Sequence, residues 1–235
     1  MLRHISLISI LILLCSIPAL VNAFIHTPWS EELYQYLAET YNGDVEKRAR
    51  YLQKVILVDE TVTEQQMIHD VNSFFNQVQW VSDSLHWGEK DYWQTPLETL
   101  IEFKGDCEDI AIAKYTTLRV MGIPDRKLSL VYSYTGGVAH MVLAYYESFD
   151  SNPYVLDSLN KNLLRGDERE DIVPVYEFNS TTVWLTDKHF HKLGKGMPEH
   201  LALVDELKIR LANNRHLLQS HNDGLPVVPF SIETL

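Results

Sequence analysis

The hydrophobic period of this chain changes at Gly122-Ile123-Pro124, and this change restricts the fold more than any other feature. Before it, apolar residues recur every three or four positions, as in amphipathic helices. After it, apolar and polar residues roughly alternate, as in strands. Glycine followed closely by proline is a helix stop signal. The order predicts an α+β fold, in which amino-terminal helices pack on an antiparallel sheet.

Capping signals divide the helical half of the sequence. Ser30 can cap a first helix, a second contains Leu52, and Thr63-Glu64-Gln65-Gln66 resembles a capping box that opens a third. Thr95-Pro96-Leu97-Glu98 is another capping box, with proline at the first helical position. A further helix is predicted from Asp106 to Met121. The loop between the third and fourth helices is rich in aromatic residues: Trp80, Trp87, Tyr92 and Trp93.

Strands follow the change of period. β-Branched and aromatic residues predict an antiparallel meander over 128–133, 138–147 and 154–157, and two further strands over 172–178 and 181–185. A last helix is predicted over 198–218, with Leu201, Val204, Leu207 and Leu211 facing inward. The tail, 225–235, has too little pattern to assign.

The first 23 residues have the composition of a secretory signal peptide. Arg3 and His4 precede an apolar run over residues 5–17, and Val21-Asn22-Ala23 offers a small-residue cleavage site. An uncleaved anchor is the alternative, although the run is short for a bilayer span and lacks a basic flank. The sequence thus predicts an exported protein with one domain over residues 24–235.

The net charge of the chain is -12, from 32 acidic and 20 basic residues. Such a charge argues against broad nucleic-acid or anionic-membrane binding.

Cleavage after Ala23 removes Cys15 and leaves Cys107 as the mature protein's single thiol. A helical wheel places Cys107 on the apolar stripe of its helix, in the first turn. Free N–H groups and the helix dipole favour a thiolate there, and they can also hold the oxyanion of an attacked carbonyl. A buried, inert cysteine is the alternative.

A thiol nucleophile needs a base and a group that orients it. Of the histidines, His140 alone lies inside a clearly apolar strand, in Val138-Ala139-His140-Met141-Val142. Asp157 ends the next apolar run and can reach the ring if the two strands pair. Taken singly, a satisfied core histidine and a strand-end aspartate are the alternatives. Together with Cys107 they follow the nucleophile, base and orienter logic of thiol proteases.

Several strings closely resemble the bacterial transglutaminase-like cysteine proteinases. They are Asp91-Tyr92-Trp93-Gln94-Thr95-Pro96-Leu97-Glu98, Gly105-Asp106-Cys107-Glu108-Asp109-Ile110-Ala111-Ile112-Ala113-Lys114-Tyr115, Gly137-Val138-Ala139-His140-Met141-Val142-Leu143 and Val155-Leu156-Asp157. The resemblance spans residues 28–190. It implies a transglutaminase-like, papain-like fold with Cys107, His140 and Asp157 as the catalytic triad.

The resemblance also implies a physiological role. Members of the family are periplasmic endopeptidases that cut a large surface adhesin near its amino-terminal anchor, at a site with two alanines, and so promote biofilm dispersal. The family implies Ca²⁺ dependence as well. It further implies inhibition by an inner-membrane receptor that sequesters the protease when cyclic di-GMP is high.

The acids beside Cys107 give an independent reason to expect a cation. Asp106, Glu108 and Asp109 place three negative charges within two residues of the thiol, where they oppose its ionisation. Bound calcium would cancel this field, and its preferred ligands are such oxygens. Backbone carbonyls or acids of the 83–91 loop, such as Asp91, would complete the shell. The alternative is that the acids only stabilise the helix start.

Other functions remain open on the residues alone. A transglutaminase or amidase would use the same triad, and a non-catalytic module would bind protein through the aromatic loop. A metalloenzyme would use His189 and His191, the tightest histidine pair. The aromatic loop either lies near the catalytic cleft and contacts substrate or receptor, or packs as core.

Overall fold

A computed structural model describes residues 28–59, 61–149, 151–196 and 201–222. The predicted leader, 1–23, and the tail, 225–235, lie outside these ranges. The helices of the described part are α1 Glu31–Thr40, α2 Gly43–Ile56, α3 Glu64–Phe75, α4 Asp83–His86, α5 Pro96–Glu102, α6 Cys107–Val120 and α7 Leu201–Gln219. The strands are β1 Gln79–Trp80, β2 Lys104–Gly105, β3 Leu128–Thr135, β4 Val138–Tyr145, β5 Tyr154–Leu156, β6 Leu164–Arg165, β7 Ile172–Phe178, β8 Val183–Thr186 and β9 Lys192–Lys195.

Seven strands form one antiparallel sheet in the order β6-β5-β4-β3-β7-β8-β9. Consecutive strands β3, β4 and β5 make the predicted meander, and the unpredicted β6 extends it by one strand. β7 then pairs with the free side of β3. In the register of β3 and β4, Ser133 lies opposite His140. β1 and β2 form a separate parallel pair, which places Trp80 beside Gly105. The predicted α+β class is confirmed.

Helix α6 lies between the other helices and the sheet. It packs against α3 and α5 on one side and against β3 and β4 on the other. Twelve of its 14 residues are buried, and only Glu108 and Arg119 are partly exposed. The sequence predicted one apolar stripe on this helix, whereas burial extends around the whole circumference. Its many small residues, alanine and threonine, allow this close approach on all sides.

Two apolar clusters cover the two faces of the sheet. The larger cluster fills the space between the helices and the sheet, with α6 at its centre. The smaller one lies on the opposite face and includes Val142, Val155 and Phe190. The sheet is therefore buried on both faces near β4 and β5, the strands that carry the predicted histidine and precede the predicted aspartate.

The last helix, α7, closes the structure against α1 and α5. Leu207 and Leu211 are buried, as their spacing predicted. The Asn214 side chain donates to Thr95 Oγ1 over 2.9 Å, and Ser30 N donates to Asn222 Oδ1 over 2.7 Å. No helix within the described residues has the length and apolar character needed to span a bilayer.

The two predicted capping boxes differ in outcome. At α5, Thr95 Oγ1 accepts from Glu98 N, and Glu98 Oε2 accepts from Thr95 N over 2.6 Å, so the box is complete. At α3, Thr63 caps Gln66 N, but the Gln66 amide donates to Asp70 instead of returning to the cap. The Gln66 side chain contacts Asp70, one turn along the helix, and its oxygen does not accept from Thr63 N, so the second half of this box was wrong.

Candidate active site

Cys107 is the first residue of α6, directly after the N-cap Asp106, and it is 9% exposed. Its thiol donates to Glu108 Oε2 over 2.7 Å, and the backbone N–H of Met141 donates to its sulfur. The sulfur thus lies against the peptide unit that joins His140 to Met141. Burial raises the pKa of the Cys107 thiol, and the charge and hydrogen bond of Glu108 raise it further.

His140, in β4, and Asp157, directly after β5, form a buried hydrogen-bonded pair. His140 Nε2 and Asp157 Oδ1 are 2.8 Å apart, and their side chains are 4% and 1% exposed. Leu159 N also donates to Oδ1, and Arg169 Nη2 donates to Oδ2 over 2.6 Å. Burial alone would raise the pKa of Asp157, but the hydrogen bonds from His140, Leu159 and Arg169 hold it below its usual range.

Arg169 is a member of this cluster that the sequence did not indicate. It is 2% exposed and links Asp157 to Asp171, whose Oδ1 and Oδ2 both accept from its guanidinium over 2.8 Å. The segment around Arg169 is rich in charge and lacks periodicity, so it gave no signal. Only the return of the chain after β6 brings this side chain behind Asp157.

Acidic side chains from two elements meet at the start of α6. Asp83, Asp106 and Asp109 each place a carboxylate oxygen within 4.8 Å of the other two. Asp83 Oδ1 and Asp106 Oδ1 are buried and have no hydrogen-bond partner. Burial, with the charges of Glu108 and Asp109, raises the pKa of Asp106 to about 10. A buried cluster of this kind is stabilised by protons or by a cation.

Glu108 belongs to a second group around Asp106. Its carboxylate forms a second close group with Asp106 and the Cys107 sulfur, again with ligand atoms within 4.8 Å of one another. The predicted metal residues Asp106, Glu108 and Asp109 therefore occupy two overlapping groups that share Asp106. Asp83 comes from the loop that was expected to complete the shell. Asp91, the residue named there, is exposed and belongs to neither group.

Gln94 and Gly105 lie directly against the Asp109 carboxylate. Gln94 N and Nε2 donate to the two Asp109 oxygens over 2.7 and 2.8 Å. Asp106 N also donates to Asp109, over 3.1 Å. A Cβ on Gly105 would lie 2.5 Å from Asp109 Oδ2, so only glycine fits at that position. Hard oxygen atoms with fixed positions suit a divalent cation such as calcium.

The aromatic loop divides into core and surface. Trp93 is 2% exposed and stacks on Phe178, so for this residue the core interpretation holds. Trp80 is 52% exposed beside Gly105, two residues before the thiol. Trp87 is partly exposed between the rings of His86 and Tyr92. The surface part of the loop lies next to the acidic cluster through Asp83, which accepts from Tyr92 N over 2.7 Å.

His189 and His191 lie away from these groups, in the turn before β9. Asp187 accepts from the backbone N–H groups of both residues and lies 3.0 Å from the His191 ring. Neither histidine belongs to a candidate metal group among the described residues. The structure gives the metalloenzyme alternative no support.

A cysteine that begins a buried helix, packed on an antiparallel sheet with a hydrogen-bonded His–Asp pair, is the arrangement of thiol hydrolases with a transglutaminase-like fold. Residues 34–171 match the family model of the bacterial transglutaminase-like cysteine proteinases. The chain belongs to this family, as its motifs predicted.

Solved structures agree with this assignment. Legionella pneumophila LapG is 35% identical, with a TM-score of 0.64 over 78% of this chain and 99% of that protein. Its calcium-bound form matches at the same identity and TM-score, over 76% and 97% of the two chains. The EGTA-treated form has a TM-score of 0.65 over 78% and 99%. A search of curated proteins gave no match.

Proposed function

We propose that this protein is a calcium-dependent cysteine endopeptidase with Cys107 as nucleophile, His140 as base and Asp157 as the orienting acid. The observation that carries this is the buried His140–Asp157 hydrogen bond, formed where the Cys107 sulfur meets the His140–Met141 peptide unit. Family membership supports the same chemistry.

The pairing of His140 Nε2 with Asp157 leaves Nδ1 as the nitrogen that takes the thiol proton. The Cys107 sulfur then attacks the carbonyl carbon of the peptide bond, and the imidazolium gives its proton to the leaving amine. Water hydrolyses the resulting thioester, with His140 again as base, and regenerates the thiol. N–H groups at the start of α6 would stabilise the oxyanion.

Calcium is the cation we assign to the acidic cluster, because a LapG structure has been solved with calcium bound. The buried, unpartnered oxygens of Asp83 and Asp106, together with Asp109, are hard donors of the kind calcium requires. Glu108 would add a further oxygen beside the thiol. The ion supplies positive charge that offsets the carboxylate field at Cys107.

The substrate and setting follow from the family resemblance. We propose that the protein acts in the periplasm after removal of residues 1–23, and that it cuts a large adhesin near its amino-terminal anchor, at paired alanines. Release of the adhesin would promote biofilm dispersal. An inner-membrane cyclic di-GMP receptor would inhibit the enzyme by sequestering it.

Exposed apolar side chains beside the site suit a protein partner of this kind. Trp80, Val138 and Leu159 are 52%, 70% and 58% exposed, and the last two lie within two residues of His140 and Asp157.

The variant Trp87→Ala tests whether the aromatic loop contacts a partner. Normal folding with weaker substrate or receptor binding would support a contact role, whereas unfolding would indicate a core role.

The decisive experiment uses residues 24–235 and an amino-terminal fragment of the host's largest secreted adhesin. We expect one cut, mapped by mass spectrometry, that is lost in Cys107→Ala, in His140→Ala and with chelator, and is restored by added calcium. Cleavage by Cys107→Ala would refute the assigned nucleophile. Isopeptide or amine-transfer products without a cut would indicate a transglutaminase instead, and binding without chemistry a non-catalytic module.

A further inference from the structure

Lys114 is a charged side chain that the proposed mechanism does not use. It lies in the middle of α6 and is fully buried. Its Nζ donates to Asn76 Oδ1 over 2.7 Å, and to the backbone carbonyl of Asp157 over 3.2 Å. Complete burial of a lysine is costly, so a specific reason for its presence is expected.

The position of Lys114 on the helix relates it to the nucleophile. Seven residues separate it from Cys107, which is close to two turns, so both residues lie on nearly the same face, about 10 Å apart along the axis. Cys107 contacts the His140–Met141 peptide unit of β4, and Lys114 contacts the end of β5. One face of α6 therefore touches the peptide units of both proposed partners.

Asp157 is held from two sides that differ in chemistry. Its carboxylate accepts hydrogen bonds from His140, Leu159 N and Arg169. Its backbone carbonyl receives Lys114, which is the direct link, among the hydrogen bonds of the described residues, from the nucleophile's helix to this aspartate. Arg169 stabilises the ionised carboxylate and its rotamer, whereas Lys114 holds the main chain in position.

We propose that Lys114 is a positioning residue, which fixes the distance between the helix that carries Cys107 and the strand end that carries Asp157. This inference rests on the proposed function, because it concerns the alignment of the same three groups. A displacement near 1 Å between reacting groups lowers rates by up to about 100-fold. The hydrogen bond from Lys114 to the Asp157 carbonyl, in a closely packed interior, opposes such a displacement.

The ionisation of the amine agrees with this geometry. Burial lowers the pKa of Lys114 to about 7, against the opposing charge of Asp157. A neutral amine has two N–H donors, and the two acceptors present match this number. The side chain can thus remain in the core near neutral pH without an unsatisfied donor.

The test compares Lys114→Met with Asn76→Ala, both loaded with calcium and assayed well below their unfolding temperatures. Methionine keeps the length and volume of the stem but loses both hydrogen bonds. Asn76→Ala removes one partner of Lys114 and leaves the contact with Asp157. The substrate is a fluorogenic peptide that spans the cut mapped for the wild-type protein. Lys114→Gln, which keeps an N–H donor, covers the case in which the methionine variant does not fold.

We expect kcat of Lys114→Met to fall about 10- to 100-fold with KM within twofold. Asn76→Ala should lose thermal stability yet keep kcat within about threefold, and Lys114→Gln should be intermediate. Wild-type kcat in either folded Lys114 variant would overturn the proposal. So would an equal loss of kcat in Asn76→Ala, or failure of both Lys114 variants to fold, since each indicates a general structural role. A wild-type protein without any cleavage would instead refute the proposed function.

Discussion

Asp157 is the residue on which most contacts of the candidate site converge. Its two carboxylate oxygens and its carbonyl together accept four hydrogen bonds, from β4, α6, the segment after β6 and its own turn. No single neighbour fixes it. A substitution there therefore changes the orientation of His140 more than it changes the path of the chain.

Asp157→Asn should retain the fold and lose most activity. The amide keeps the shape but removes the negative charge that fixes the tautomer of His140 and stabilises its imidazolium. We expect kcat to fall roughly 10²- to 10⁴-fold while Cys107 still acylates slowly. Steady-state kinetics on the mapped peptide, with Cys107→Ala as the inactive reference, would measure this. Activity within threefold of the wild type would show that Asp157 does not orient the base.

The same aspartate makes stability depend on pH in a defined direction. Because its pKa is lower in the folded state than in the unfolded chain, the native protein binds fewer protons there as the solution is acidified. Its contribution is complete above the unfolded value, about pH 4, and declines below it. The gap in unfolding free energy between wild type and Asp157→Asn should therefore shrink from pH 5 to pH 2, as denaturant titrations can measure. A constant gap would contradict the assigned shift.

At the scale of elements, the start of α6 depends on the close approach of β2. Gly105→Ala would place a methyl group 2.5 Å from Asp109 Oδ2 and 2.9 Å from Gln94 Nε2. We expect it to cost roughly 1–3 kcal/mol of stability and to weaken calcium binding, because Asp109 must move. Gly43→Ala is the control, since nothing lies within 4 Å of its added Cβ. Thermal unfolding would measure the loss of stability, and calorimetric calcium titration the loss of affinity. Equal stability and affinity in Gly105→Ala and Gly43→Ala would argue against this packing.

The elements that the sequence predicted are those with long periodic patterns or complete capping signals. Helices α1, α2, α3, α5 and α6 and strands β3, β4, β5 and β7 lie where their patterns placed them. β1, β2 and β6 have two residues each, which is too short for a period to be visible, and β9 contains glycine and two lysines. The cap at Thr63 was only half correct, because the Gln66 side chain contacts Asp70 and does not accept from Thr63 N.

The candidate site was predictable to a different degree. Motif resemblance identified the family, and it named Cys107, His140 and Asp157, whose catalytic roles stay predictions. Asp83 lies in the 83–91 loop whose acids were expected to complete the shell, although Asp91 was the residue named. Lys114 lies in a string that matches the family but received no role, and Arg169 was not indicated at all. Each is brought to the site by tertiary packing from a segment whose local sequence is typical of a loop or a helix interior. Their spacing along the chain carries no information about their proximity.

At the scale of the whole molecule, α7 supports the loop that carries Asp83. Arg210 pairs with Glu98 over 2.9 Å, contacts the Trp93 carbonyl and lies over the Tyr92 ring. Tyr92 in turn holds Asp83 through its backbone N–H. The carboxyl-terminal helix therefore contributes to the acidic cluster without contacting it.

Arg210→Ala should weaken calcium binding roughly threefold to tenfold, about 1 kcal/mol, because the loop that carries Asp83 loses its outer support. Lys208→Ala, on the same helix, is the matched control and should bind calcium as the wild type does. Calorimetry with calcium alone, together with the rise in unfolding temperature on adding calcium, reports the change independently of catalysis. Unchanged calcium affinity in Arg210→Ala would show that α7 and the cluster are independent.

Magnesium should substitute poorly for calcium in the same calorimetric titration of the wild type, since it requires a tighter six-oxygen shell.

The burial of α6 on every side restricts how such an enzyme can acquire a new substrate preference. Nearly every side chain of the helix that carries the thiol is packed against other residues, so exchanges there perturb the interior as well as the reaction. Substitutions at Trp80, Val138 and Leu159 should perturb the interior much less, because these side chains project into solvent. Directed evolution of altered cleavage selectivity should therefore randomise these three exposed positions and their surface neighbours. Randomising the helix would mostly yield proteins that no longer fold.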